Sequence, residues 1–186
     1  MLNRYFIGFV VTIGLVILLI YLVFHGGSKP KVPMTHKTLD SYSVTDAQAI
    51  MTIDGPINAN QNHQGVKIIV SRDNVTFEQL QGYQGSVTNM QNFTNNVDAY
   101  SNFLVAIARA GFTLGNNNAG LKDERGYCPL GDRYNFELQQ DGQELERYWT
   151  TSCGSPKSFL GNAQLTLTLF QNQVPNYDDL TQNITL

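Results

Sequence analysis

The sequence predicts an α+β domain, an antiparallel sheet with a packed helix and one disulfide, carried behind a single N-terminal transmembrane helix. Three observations lead there. Residues 5–24, YFIGFVVTIGLVILLIYLVF, carry no ionisable side chain apart from Tyr5 and Tyr21. Residues 96–110 repeat apolar side chains at three- and four-residue intervals, the period of an amphipathic helix. Asp141-Gly142 separates two alternating segments, and Cys128 and Cys153 flank that pair of segments.

Composition narrows the class. The chain has 186 residues, 42% of them hydrophobic but only 15% charged, and its polarity is carried instead by 18 Asn and 14 Gln. A formal charge of −3 with no clustered basic face argues against nucleic-acid binding. From His36 onward there are nine Lys+Arg and fifteen Asp+Glu, so that part carries 9 − 15 = −6. A surface of that sign is not drawn to anionic headgroups.

The elements follow in order. Residues 1–4 are read as a cytoplasmic stub. At 1.5 Å of rise per residue, the run 5–24 spans roughly the 30 Å of a hydrocarbon core, longer than the apolar core of a cleavable signal peptide. It ends in Phe24-His25-Gly26-Gly27, without a small-x-small cleavage site, so it is read as a retained anchor. Arg4 and the terminal amine favour a cytoplasmic N-terminus, weakly opposed by Lys29 and Lys31. Residues 25–37, with Pro30 and Pro33, form an extended spacer. The extracytoplasmic domain is 38–186.

Within it, 47–53 and 66–71 read as strands joined by a turn-rich loop, and 75–90 alternate weakly, with Gly82 and Gly85 marking a bend or bulge. The helix 96–110 has Asn95 or Asn96 as cap, Asp98 in its positive first turn and Arg109 at its negative end, and Val97, Tyr100, Phe103, Leu104 and Ile107 form the core-facing stripe. A two-residue loop at Asp141-Gly142 makes opposed positions sum to 283. Tyr134, Phe136, Leu138, Leu145, Arg147 and Trp149 then share an apolar face, and Asn135, Glu137, Gln139, Glu144 and Glu146 a wet one. Cys128 and Cys153 share the parity of the apolar face, so a disulfide between them closes the base of the hairpin, as suits an oxidising, extracytoplasmic compartment. In 162–174, Leu165, Leu167 and Leu169 alternate as in a strand. Leu165, Leu169, Phe170 and Val174 behind Asn162 make a helical stripe, and the balance tips to helix.

Chemistry-bearing patterns are sparse. WTTSCG at 149–154 is similar to the threonine-rich approach to the nucleophile of sortase-type transpeptidases, which would make Cys153 the nucleophile. Such enzymes need a His and a later Arg, however, and no Arg follows Arg147. HExxH, CxxC, GxSxG, P-loop and GxGxxG patterns are absent. Asp54, Asn58, Asn60 and Asn62, or Asn116–Asn118 with Asp123, Glu124 and Asp132, offer oxygen to a hard cation but lack EF-hand spacing. Glu137 and Glu146, opposed on the wet face, are the nearest approach to an acid/base pair. No catalytic, cofactor-binding or metal-binding residue is expected.

The stretch GYCPLGDRYNFEL…RYWTTSCG…LFQNQVPNY resembles ectodomains of single-span membrane-anchored proteins from candidate-phyla bacteria such as the Saccharibacteria. The resemblance covers about 60 residues and implies a bacterial envelope address and nothing catalytic. The expectation is a single-pass, membrane-anchored binding or envelope-assembly module that takes a protein or a cell-envelope polymer as partner. Tyr83, Tyr127, Tyr148 and Tyr177 are its candidate contacts. The alternatives are the sortase-like transpeptidase and a pilin-like surface subunit, from whose pattern Gly26, Gly27 and Pro30 depart by interrupting the apolar helix.

Overall fold

Alternation along the chain builds six strands: β1 (Gln48–Asp54), β2 (Gln64–Val70), β3 (Asn74–Gln81), β4 (Ser86–Thr94), β5 (Arg133–Gln140) and β6 (Gln143–Thr151). In this computed structural model, which describes residues 13–16 and 37–186, they form one antiparallel sheet in the order β4-β3-β2-β1-β5-β6. Most of the expected span at 5–24 and spacer at 25–37 lies outside the described residues. Among the described residues no helix is long and apolar enough to cross a membrane. Lys37–Leu186 forms a unit of its own.

The weak alternation at 75–90 is two strands. Gly82 and Gly85, both at positive φ, turn β3 into β4, and Gly85 N–H donates to Gly82 O at 2.9 Å. Helix α1 (Val97–Arg109) follows as expected. Asn96 Oδ1 accepts from Ala99 N–H at 2.9 Å, which satisfies one of the open donors of the first turn. The contested segment is helical: α2 (Ala163–Gln171) starts where Asn162 Oδ1 accepts from Leu165 N–H at 3.0 Å, and a short α3 (Tyr177–Thr181) comes after Pro175.

The core lies on the face that the helices cover. Phe77, Ile68, Met51, Phe136 and Tyr148 make one cross-strand row and all are buried. Val75, Val70, Ala49 and Leu138 make the next. Over them pack Tyr100, Phe103, Leu104 and Ile107 of α1 and Leu167 and Phe170 of α2. Phe170 meets Phe103 edge-on at 5.0 Å, a geometry that suits aromatic quadrupoles, and lies tilted to Phe112 at 6.0 Å. Each such ring removed from water contributes about 1.5–3 kcal/mol. Tyr100 reaches through this layer to donate its hydroxyl proton to Ala47 O at 2.9 Å.

The β5–β6 hairpin forms at Asp141-Gly142, both at positive φ, but its register departs from the expected one. Near the turn Gln140 opposes Gln143 and Gln139 opposes Glu144, as expected. Beyond a bulge at Leu145, Leu138 opposes Glu146 and Phe136 opposes Tyr148. One extra residue flips every later side chain of β6 to the other face. Arg147 and Trp149 therefore leave the apolar face and join Asn135 and Glu137, while Tyr148 takes the core position. The bulge also separates Glu137 from Glu146, because Glu137 now opposes Arg147.

Trp149 is nonetheless fully buried, because the second face of the sheet is covered too. The connection between α1 and β5 folds back over it. Trp149 Nε1–H donates to Leu121 O at 2.6 Å, and the Tyr127 ring stacks on the indole at 5.2 Å. Cys128 and Cys153 are joined, with Cα atoms 5.7 Å apart, which fixes the end of this cover. The expected bond forms by a different route: the ladder ends at Arg133–Thr151, and a turn with Cys128 at positive φ and Gly131 N–H donating to Cys128 O brings the sulfurs together.

Candidate functional site

Two constellations stand out, one a buried network and the other an open groove. The network occupies the second face, where β1, β2 and β5 lie side by side. Asp54 and Arg133 are cross-strand partners, and His63 precedes β2. Arg133 donates to Asp54 Oδ2 from Nε at 3.0 Å and from Nη2 at 2.5 Å, and Nη2 also reaches Gly55 O at 2.6 Å. His63 Nε2 meets Asp54 Oδ1 at 2.6 Å, and Nδ1 meets Pro56 O at 3.0 Å. A carbonyl only accepts, so the contact with Pro56 O calls for Nδ1 as the donor. Tyr83 stacks on the His63 ring at 4.1 Å, and its hydroxyl bonds to Asn58 N–H and O. The His63 and Arg133 side chains are only 2% and 4% exposed and Asp54 is 36% exposed, and the network locks the β1–β2 loop.

A second charged cluster lies beside it under the cover. Arg147 Nη2 donates to Glu124 Oε2 at 2.6 Å and to Asn135 Oδ1 at 2.8 Å, Nη1 reaches Lys122 O at 3.2 Å, and Nε lies 3.5 Å from Glu137 Oε1. Burial pulls the guanidinium pKa down, but Glu124, Glu137 and Glu144 outweigh it and raise it. Asp123 is held at about 2 by its hydrogen bonds from Arg125.

The groove opens on the outer side of β6. It encloses about 580 Å³ between the bulged strand, at Glu144 to Tyr148, and the loop Asn116–Lys122. Asn116, Asn117 and Asn118 present amides from one wall. Glu144, Leu145 and Arg147 line the other, and Lys122 and Ser158 lie at the ends. The amide wall is stiff: Asn116 Oδ1 accepts from Asn118 N–H at 3.0 Å, and Asn118 Oδ1 accepts from Gly120 N–H at 2.9 Å. Asn117 holds the Tyr148 hydroxyl, whose pKa is raised by burial and by Glu146.

The four tyrosines expected as contacts are dispersed. Only Tyr83 is exposed. Tyr127 is half-buried against Trp149, Tyr177 is half-buried with its ring edge-on to Phe77 at 6.1 Å, and Tyr148 is buried. Cys153 Sγ is bonded to Cys128, so it carries no thiolate while that bond is intact. The carboxylates of the oxygen-rich loops are bonded within the chain, Asp54 to Arg133 and His63, Asp123 to Arg125, Glu124 to Arg147 and Asp132 to the Tyr134 hydroxyl. Among the described residues no three His, Cys, Asp or Glu side chains converge on one point. The Asn116–Asn118 cluster is visible in the sequence, but its position opposite β6 depends on the bulge at Leu145 and the disulfide-held cover. No protein-family model matches the chain, and no curated protein or solved structure shows significant similarity to it.

Proposed function

We propose that the chain is a membrane-tethered extracytoplasmic binding module, and that the groove beside β6 receives a neutral, hydroxyl- and amide-rich strand of a cell-envelope polymer. The observation that carries this reading is the groove wall of three consecutive amides facing Glu144 and Arg147. Side-chain amides donate and accept at once, and paired with both signs of charge they match a chain of hydroxyl and acetamido groups with no net charge. The apolar run 5–24 supplies the tether, and the closed Cys128–Cys153 bond supports an oxidising compartment.

Calorimetric titration of the full-length protein with N-acetylglucosamine tetramers tests this. Saturable binding is expected, weakened about tenfold in Asn117→Ala and in Glu144→Gln, as for loss of one good hydrogen bond. Absence of heat with the wild type, or equal affinity in both variants with unchanged melting curves, refutes the groove as the binding site.

A further inference from the structure

The two margins of the sheet are finished differently. Along β6 the segment 158–160 covers the strand. Trp149 N–H donates to Ser158 Oγ at 2.9 Å, and the N–H groups of Ser158 and Phe159 donate to Trp149 O at 3.0 and 2.8 Å. β6 also carries Glu144, Glu146 and Arg147. At the opposite margin nothing among the described residues pairs with the outer side of β4. Nearly all of β4 is exposed, Val87 and Met90 by 46% and 49%. Neither a charged residue nor a proline occurs between Glu78 and Asp98. Natural edge strands are normally guarded by lysine, proline, a covering segment or a bulge, and β4 has only the last, where the pairing shifts between Gln79 and Leu80.

The centre of β4, Asn89-Met90-Gln91, has the same chemical order read from either end. Antiparallel pairing of two copies centred on Met90 sets Met90 against itself and Asn89 of one copy against Gln91 of the other. Regular pairing stops at Thr88, the extra residue of the bulge, because Gln79 opposes Asn89 while Leu80 opposes Val87. A twofold contact requires that residue i meets j while j meets i, and the central pairs do so with like chemistry: thioether to thioether at Met90 and amide to amide at Asn89 and Gln91. In a domain of net negative charge, this uncharged strand is also where two copies meet without opposing like charges.

We infer that β4 is the docking edge for a second copy of this chain, the two sheets joining antiparallel about a twofold axis at Met90. Each copy consumes its open margin and retains a covered one at β6, so growth stops at two.

Cysteine cross-linking and sedimentation of the full-length protein in detergent micelles test this. Opposed Cα atoms in an antiparallel pair lie about 4.5–5.5 Å apart, within disulfide reach. Met90→Cys is expected to cross-link to itself on mild oxidation. Asn89→Cys and Gln91→Cys are expected to cross-link when mixed, and far less when alone. Met90→Lys, which places two ammonium groups face to face, is expected to sediment as a monomer with an unchanged melting curve. A Met90→Cys yield no higher than that of Val44→Cys, an exposed control away from the sheet margin, overturns the proposal. So does a dimer that survives Met90→Lys.

Discussion

Arg133 is a buried cation whose one carboxylate partner among the described residues is Asp54. Removing one partner of a buried pair is costlier than never having had it, because the remaining charge stays in a medium that solvates it poorly. Asp54→Ala is therefore expected to lower the unfolding free energy by about 3 kcal/mol, and Asp54→Ala with Arg133→Met to recover much of that loss, both read by urea denaturation. Tyr134 gives a pH-dependent counterpart. Burial, with the charge and hydrogen bond of Asp132, pushes its phenol up to about 12, against about 10 in an unfolded chain. A raised pKa means that the folded state holds the proton more tightly. Its contribution is complete below pH 10 and is lost as the pH rises toward 12. Unfolding free energy measured at pH 9 and pH 11.5 is expected to fall less in Tyr134→Phe than in the wild type.

At the scale of elements, close packing of the β6 region against the loop that precedes the cover is testable at Gly115. A Cβ there would lie 1.9 Å from the Tyr148 ring. Gly115→Ala is expected to cost about 1–3 kcal/mol by displacing that ring, measured by thermal or urea unfolding. The elements differ in how far their sequences foretell them. Helix α1 is legible because its cap, its charges at both ends and its apolar stripe agree. The hairpin is legible from Asp141-Gly142, since few dipeptides accept two successive positive φ angles. Its register is not. A bulge at Leu145 leaves no local mark, and Trp149 on either face satisfies alternation until the cover over it is known. The Asp54–His63–Arg133 network is illegible for a related reason: its members lie 9 and 79 positions apart and meet only through strand pairing. Of the groove, the amide cluster is readable, and the strand it faces is not.

For the whole molecule, a helix-covered apolar core is joined to a second layer held by one covalent bond. The Cys128–Cys153 bond closes a loop of sequence separation 25, and Cys128→Ser with Cys153→Ser is expected to reduce stability by about 3–4 kcal/mol, read by denaturant unfolding of the oxidised protein against the variant. The two layers need not fail together, since the cover is held by polar contacts, among them the Arg147–Glu124 ion pair, and by the Tyr127–Trp149 stack, whereas the core buries a continuous apolar cluster from both sheet and helices. The single tryptophan of the chain lies beneath the cover and not in the core. Its fluorescence is thus a built-in optical gauge of that layer alone: in the reduced protein the emission is expected to shift to the red at lower denaturant than the loss of far-ultraviolet dichroism, and coincident transitions would mean that cover and core unfold as one.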